Sequence, residues 1–149
     1  MIKTASALIF LANAVFAVFV QAQSTPPSAL LALSKRGHTL AIVDPASLKV
    51  LARVPVGNDP HEVIASSDGK TAYVSNYGGG AFNTLAVVDL VNQKALQQID
   101  LGPLRGPHGL TFVGGKVWFT AEAARRLAVT IPRTRKWISF SARARIEPT

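Results

Sequence analysis

Residues 40–44 (LAIVD) decide the fold of this chain, because they return 45 residues later as residues 85–89 (LAVVD). Each copy is followed by a polar turn, a lysine, and a run of alternating apolar and polar residues that ends at a glycine. Such alternation is typical of a half-buried β-strand. A period of this length, made of short β-branched runs between turn signals, is typical of a four-stranded repeating unit.

A second pair of landmarks follows the first. Residues 60–63 (PHEV) are matched 47 residues later by residues 107–110 (PHGL). One complete unit can be delimited between the landmarks, with strands predicted at residues 61–65, 71–76, 84–89 and 94–101. Beyond residue 22 no helical periodicity longer than a turn is present, so the sequence predicts an all-β protein.

Residues 67–76 (SDGKTAYVSN) resemble the signature of the YVTN family of β-propeller repeats, with Ser75 where the family name has threonine. Residues 106–109 (GPHG) and 117–120 (VWFT) are also similar to blades of the streptogramin-lyase-like and SMP-30-like propellers. The resemblance spans about residues 29–125 and implies a partial β-propeller of about two to three four-stranded blades, each of about 45 residues. We expect a partial blade at 29–57, a complete blade at 58–102 and a partial blade at 103–136.

The first 22 residues resemble an export signal. Lys3 precedes an apolar stretch, residues 5–20, and Ala22 supplies the small residue that signal peptidase requires. The stretch is shorter than the roughly 20 residues of a spanning helix, which favours cleavage over an uncleaved anchor. We therefore expect a cleaved signal peptide at 1–22, a short linker at 23–28, no stable membrane span after cleavage, and a periplasmic or secreted protein.

The basic character of the chain lies mainly near its C-terminus. The formal net charge is +8, yet residues 23–120 hold eight basic and six acidic residues. Because the repeat dissolves after residue 136, we expect residues 137–149 to be an irregular basic tail. Reading the gene two bases later, with suitable wobble bases, restores a repeat-like sequence, so this tail is interpreted as out-of-frame translation; a genuine tail is the alternative. A basic nucleic-acid or surface binder is the least favoured function.

Two to three blades are fewer than the four to eight of a usual propeller. We therefore expect either that the chain is a truncated fragment or, if the short chain is genuine, that copies self-associate to close a ring. The function expected of the scaffold is to bind a small molecule or a protein at its channel mouth.

His61 and His108 occupy equivalent positions at the start of innermost strands, which line the channel of a propeller. Together with Glu62 and Asn76 they are the predicted ligand-binding residues. The chain has no cysteine, which excludes thiolate metal sites. Imidazole and carboxylate suit a divalent metal, so His61, His108 and Glu122 are candidate metal ligands and candidate catalytic residues.

Those three residues define an enzyme alternative. The resemblance to streptogramin-lyase-like propellers implies a metal-dependent lyase or lactonase in which histidine and glutamate at the mouth assist elimination. Glu122 lies one residue later than that pattern requires. A purely structural role of the histidines, as turn elements bonded to a neighbouring blade, is the other alternative.

Overall fold

The computed structural model describes residues 25–141, which form eleven β-strands and one 3₁₀ turn at Gly78–Gly80. No helix in this range is long and apolar enough to cross a membrane. The strands are, in chain order, β1 (Leu30–Ser34), β2 (Thr39–Val43), β3 (Val50–Pro55), β4 (Pro60–Ala65), β5 (Thr71–Asn76), β6 (Thr84–Asp89), β7 (Lys94–Asp100), β8 (Pro107–Val113), β9 (Lys116–Ala121), β10 (Arg126–Ile131) and β11 (Lys136–Ser141).

The strands form three antiparallel sheets in the order of the sequence. The first sheet is β1-β2-β3, the second is β4-β5-β6-β7 and the third is β8-β9-β10-β11. The predicted all-β fold class is confirmed. Within the second sheet, the strands predicted at 71–76 and 84–89 have the observed bounds; β4 begins one residue earlier and β7 ends one residue earlier than predicted.

The sequence repeat shows which strands are equivalent. The LAIVD copy lies in β2 and the LAVVD copy in β6, so β1 corresponds to β5 and the first sheet has no strand equivalent to β4 or β8 among the described residues. Strand β4 contacts both β1 and β8, whereas β3 contacts β7. The sheets therefore stand side by side with β4 and β8 at one edge of the stack and β3, β7 and β11 at the other. We call the edge that carries β4 and β8 the inner edge.

Two apolar layers hold the three sheets together. Alternating residues of the second sheet point to opposite faces, as the strand period requires. The layer between the first and second sheets contains Leu40, Ile42, Val54, Val56, Ala72, Val74, Ala86, Val88 and Leu90. The layer between the second and third sheets contains Tyr73, Leu85, Ile99, Leu101, Leu104, Val117, Phe119, Ala121 and Ala128. The second sheet is therefore buried on both faces, like one unit in a stack of repeats.

The third sheet extends further along the sequence than the repeat indicated. Residues 137–141, expected to belong to the irregular tail, form most of β11 and pair with β10. The alternation within β11 explains this pairing: Trp137 packs toward the second sheet, and Ile138 and Phe140 lie on the opposite face. The predicted signal peptide and residues 142–149 lie outside the described residues.

Candidate ligand-binding site

Three side chains of the candidate site occupy the same position in three successive sheets. Lys35 directly follows β1, Tyr77 follows β5 and Glu122 follows β9. The two histidines are also equivalent, because His61 is the second residue of β4 and His108 is the second residue of β8. All five therefore lie at the same end of the stack, toward its inner edge.

The connection that enters each innermost strand fixes these positions. Asp59 and Gly106 precede β4 and β8, and both have left-handed backbones, with φ of 46° and 67°. The carbonyl oxygen of Asp59 accepts a hydrogen bond from the N–H of Tyr77 (3.1 Å), and that of Gly106 accepts one from the N–H of Glu122 (2.9 Å). Each connection therefore links the start of an innermost strand to the residue that directly follows the next strand of the same sheet.

Three rings meet at the centre of the site. The ring centroids of His61 and His108 are 4.8 Å apart, although the residues belong to different sheets. The Tyr77 ring lies 4.9 Å from His61 and 5.5 Å from His108. Separations of this size are typical of interacting ring pairs, so the three rings form one continuous cluster, which we call the ring cluster.

One side of the ring cluster is held by a lysine from the first sheet. Nζ of Lys35 lies 2.7 Å from Nδ1 of His61 and 3.2 Å from Oδ1 of Asp59. An ammonium group only donates hydrogen bonds, so Nδ1 of His61 is the acceptor and its ring proton resides on Nε2. The hydrogen bond from Lys35 lowers the pKa of the Asp59 carboxyl, whose Oδ2 also accepts the N–H of Gly78 at 2.9 Å.

Two glutamates hold the other side. Oε1 of Glu62 lies 3.4 Å from Nδ1 of His108, and its Oε2 accepts the N–H of Leu110 at 3.2 Å. Oε2 of Glu122 accepts a hydrogen bond from the Tyr77 hydroxyl at 2.5 Å, and this hydrogen bond raises the pKa of the phenol above its ordinary value. Both glutamates therefore bridge adjacent sheets, Glu62 from the second sheet to the third and Glu122 in the reverse direction.

Of the predicted site residues, the structure brings four together and separates one. His61, Glu62, His108 and Glu122 all adjoin the ring cluster. Asn76 does not: its side chain lies on the face of β5 that packs on the first sheet, and its Nδ2 donates to Oγ1 of Thr84 on the neighbouring strand β6 at 3.0 Å. Alternation along β5 explains the difference, because Asn76 shares a strand face with the buried Ala72 and Val74.

The sequence did not single out Lys35, Asp59 or Tyr77. For Lys35 and Tyr77 the signal was positional, because both correspond to Glu122 in the repeat, whereas the equivalent of Asp59 is Gly106, which is not a candidate site residue. None of the three belongs to a recognised motif, so only the alignment of repeats would have found Lys35 and Tyr77.

The donor set does not fit the predicted metal. Among residues 25–141 no group of three or more histidine, aspartate or glutamate side chains is placed to hold a metal ion. Lys35 occupies Nδ1 of His61, and Tyr77 occupies an oxygen of Glu122. The predicted metal ligands are therefore close together but are engaged with protein partners.

The site contains charges of both signs. Three carboxyl groups, those of Asp59, Glu62 and Glu122, lie around the ring cluster together with the ammonium group of Lys35. Arg125 and Arg126 line a surface pocket together with Glu122. The face of the Tyr77 ring is electronegative and attracts cations.

The comparisons with known proteins bear on the fold alone. No protein-family model matches the chain, and no curated protein matches it. Among solved structures, hydrazine synthase of Kuenenia stuttgartiensis has a TM-score of 0.64 at 20% identity, covering 76% of this chain and 34% of that one. Virginiamycin B lyase from Staphylococcus aureus has a TM-score of 0.64 at 13% identity, covering 80% and 39%.

A third structure is similar to the same degree. Dihydro-heme d1 dehydrogenase NirN has a TM-score of 0.60 at 16% identity, covering 78% of this chain and 26% of that one. The chain thus spans between about a quarter and two fifths of the length of these proteins. All three are β-propeller proteins, and the three sheets described above fit part of such a fold: this chain has the architecture of a partial β-propeller.

Proposed function

We propose that this chain is an exported β-propeller scaffold that binds a small molecule or a protein segment at the ring cluster, and that the bound group carries a positive charge. The observation that carries the proposal is the convergence of His61, Tyr77 and His108 with Glu62 and Glu122 at the inner edge of the stack. Strands of two sheets contribute these residues, so the arrangement exists only when the sheets are stacked.

The chemistry supports a cation over an anion. The charged groups bonded around the rings are three carboxylates and one ammonium group, so we expect an anionic ligand to be repelled there, whereas Arg125 and Arg126 line a pocket beside Glu122 on the third sheet. A quaternary or protonated amine would gain from the face of the Tyr77 ring and from the nearby carboxylates. The same charge balance disfavours the nucleic-acid alternative at this site, because phosphate groups require basic side chains.

The test is a titration with tetramethylammonium chloride, followed by NMR of the histidine ring protons in the full chain. We expect saturable shifts of His61 and His108 that sodium chloride at equal ionic strength does not produce. The double variant Glu62→Gln/Glu122→Gln should weaken binding by about tenfold or more, because each removed charge contributes a substantial part of the attraction.

A matched control is Asp68→Asn, which removes an exposed carboxylate from the turn at the opposite end of the second sheet. It should leave the titration unchanged. Histidine shifts that sodium chloride reproduces, or binding that survives the double variant, would refute the proposal.

The metal-dependent lyase or lactonase alternative is less well supported. It needs His61, His108 and Glu122 to leave their protein partners and meet at one ion, whereas Lys35 and Tyr77 hold two of them. Metal analysis of the purified full chain distinguishes the two functions: stoichiometric divalent metal that is lost in His108→Ala would favour the enzyme.

Export is a separate part of the proposal and rests on residues 1–22. We expect the mature chain to begin at Gln23, which intact mass and N-terminal sequencing of protein from the periplasm or medium would reveal. Ala22→Arg removes the small residue before the cut and should block processing. An intact N-terminus on the exported wild-type chain would contradict this part of the proposal and leave the binding site untouched.

A further inference from the structure

A groove separate from the ring cluster opens between the first and second sheets. It has a volume of about 300 Å³, and its lining comprises Gly57, Asn58, Asn76, Phe82, Asn83, Thr84 and Gln98. None of these residues is charged. A volume of this size lies at the lower end of the range for small-molecule pockets, so the groove suits a small and neutral ligand.

The groove is rich in carboxamides. Oδ1 of Asn58 lies 2.7 Å from Nδ1 of His38, and Nδ2 of Asn83 donates to Oδ1 of Asp100 (3.1 Å) and to the carbonyl oxygen of Gly102 (2.7 Å). These contacts fix two of the amide groups from outside the groove. Each fixed amide keeps a further donor or acceptor for a ligand.

Asn76, which lines the groove, carries a buried polar atom without a partner in the described part of the chain. Its side chain is 97% buried, since its relative exposure is 3%, and Oδ1 has no hydrogen-bond partner among the described residues. A buried polar atom without a partner costs about 1–3 kcal/mol, and ordered water or a bound molecule commonly supplies the missing partner.

The backbone and an aromatic ring shape the groove beside the Asn76 side chain. A Cβ on Gly57 would lie 2.7 Å from Nδ2 of Asn76 and 3.1 Å from Nε2 of Gln98, so only glycine lets the two amides approach the chain here. The Phe82 ring packs directly on the Gly78 backbone, where a side chain at position 78 would overlap it. Phe82 nonetheless remains 37% exposed, which leaves part of its ring open to solvent.

The surroundings of the equivalent glycine between the second and third sheets are different. There the indole ring of Trp137 lies 3.2 Å from where a Cβ on Gly102 would be. Gly57 and Gly102 are equivalent glycines, so the amide-lined surroundings of Gly57 are not a necessary result of stacking two sheets.

We propose that this groove binds a neutral polyhydroxylated molecule, a saccharide or a similar polyol. Sugar hydroxyls both donate and accept hydrogen bonds, which matches carboxamides that present both groups. An aromatic ring such as Phe82 offers an apolar surface to the C–H face of a sugar ring. The absence of charge in the lining favours such a ligand over a phosphate, a carboxylate or an amine.

The experiment is an NMR titration of the ¹⁵N-labelled full chain with glucose, galactose and maltose, each to about 100 mM, which covers the millimolar affinities of weakly bound small ligands. We expect at least one of these sugars to shift the side-chain amide signals of Asn58, Asn76, Asn83 and Gln98 in a saturable manner. The histidine signals of the ring cluster should not move, which separates this inference from the proposed function.

Variants on exposed positions complete the test without endangering the fold. Phe82→Ala and Gln98→Ala should each weaken sugar binding by about three- to tenfold. Gln97→Ala is the matched control, because Gln97 is the neighbouring glutamine on β7 and faces the third sheet. No amide shift with any of the three sugars, or equal weakening by Gln97→Ala and Gln98→Ala, would overturn the proposal.

Discussion

Tyr77 and Glu122 stand at the same repeat position in neighbouring sheets, and they bond to each other across the interface. The bond couples the ionisation of the phenol to the glutamate. A carboxylate that accepts a hydrogen bond from the phenol hydroxyl stabilises the protonated phenol, and for this reason the pKa of Tyr77 is raised from the ordinary value of 10.0.

We predict that Glu122→Gln lowers the pKa of Tyr77 toward its ordinary value, because the amide no longer offers a negative charge. The chain has two tyrosines, so the measurement uses the phenolate absorbance in a Tyr73→Phe background, where only Tyr77 titrates. The same comparison in a Tyr77→Phe background should leave the pKa of Tyr73, which burial raises, unaffected.

Asp59 gives a second prediction at the scale of single residues. Its folded-state pKa is lowered, first by the hydrogen bond from Lys35, so its contribution to stability is present above the unfolded-state pKa and is lost as pH falls through the folded-state pKa. Asp59→Asn keeps a residue that tolerates the left-handed backbone. Near neutral pH it should reduce the free energy of unfolding by a fraction of a kcal/mol, because the pair is partly exposed.

The check is urea unfolding of both proteins at a series of pH values from neutral to well below the ordinary carboxyl pKa of 3.8. The difference between them should shrink as the pH falls through the lowered pKa of Asp59. A difference that stays constant with pH would show that the carboxylate charge is not its cause.

At the scale of elements, Gly106 sets the path from the second sheet into β8. Its N–H donates to the carbonyl oxygen of Phe82, and its own carbonyl accepts the N–H of Glu122. Its φ is +67°, and a Cβ there would lie 3.0 Å from Cα of Gly80. The left-handed backbone disfavours most residues other than glycine, asparagine and aspartate, and the close approach to Gly80 leaves little room for a Cβ.

We predict that Gly106→Ala destabilises the chain by about 2–3 kcal/mol, the sum of backbone strain and a steric clash. Gly69→Ala is the control, because Gly69 has a φ of +68° but no neighbour within 4 Å of an added Cβ. It should cost only about 1 kcal/mol, from strain alone. If denaturant unfolding shows that Gly106→Ala and Gly69→Ala lose the same free energy of unfolding, the close approach to Gly80 does not contribute to the loss.

The elements also show how far the sequence alone could lead. The repeat predicted the strand bounds of the second sheet to within one residue. It also predicted that His61 and His108 lie close together, because equivalent residues of neighbouring innermost strands are adjacent. The contacts that Lys35 and Tyr77 make with these histidines could not be predicted from it. Lys35 and Tyr77 sit just after strands, where side-chain direction depends on the turn rather than on alternation, and Trp137 belongs to a stretch where the repeat had already faded.

At the scale of the molecule, the outer face of the third sheet carries several exposed apolar side chains. On the third sheet, the side facing away from the second sheet carries Ile138 and Phe140, which are 56% and 46% exposed, together with the exposed Leu127. Trp118 stacks on Phe140 at 6.1 Å on the same face. Contiguous exposed apolar residues of this kind favour association.

We predict that the full chain self-associates in a concentration-dependent manner and that Ile138→Lys/Leu127→Lys shifts it toward the monomer. Light scattering coupled to size-exclusion chromatography measures the mass. Val91→Lys is the control, since Val91 is 57% exposed but lies in a turn of the second sheet. Monomeric wild-type protein at all concentrations, or an equal effect of Val91→Lys, would argue against this face.

The left-handed connections before β4 and β8 bear on how such a chain can grow. Because Asp59 and Gly106 are both followed by Pro-His, residues 60–106 form one repeat unit whose last residue could be followed by another copy of its first. Tandem duplication of the corresponding DNA would insert one further sheet and would join Gly106 to a second Pro60, a junction of the kind already present at Pro107. Recombination between the repeats can therefore add or remove whole sheets while every turn keeps the residues it needs.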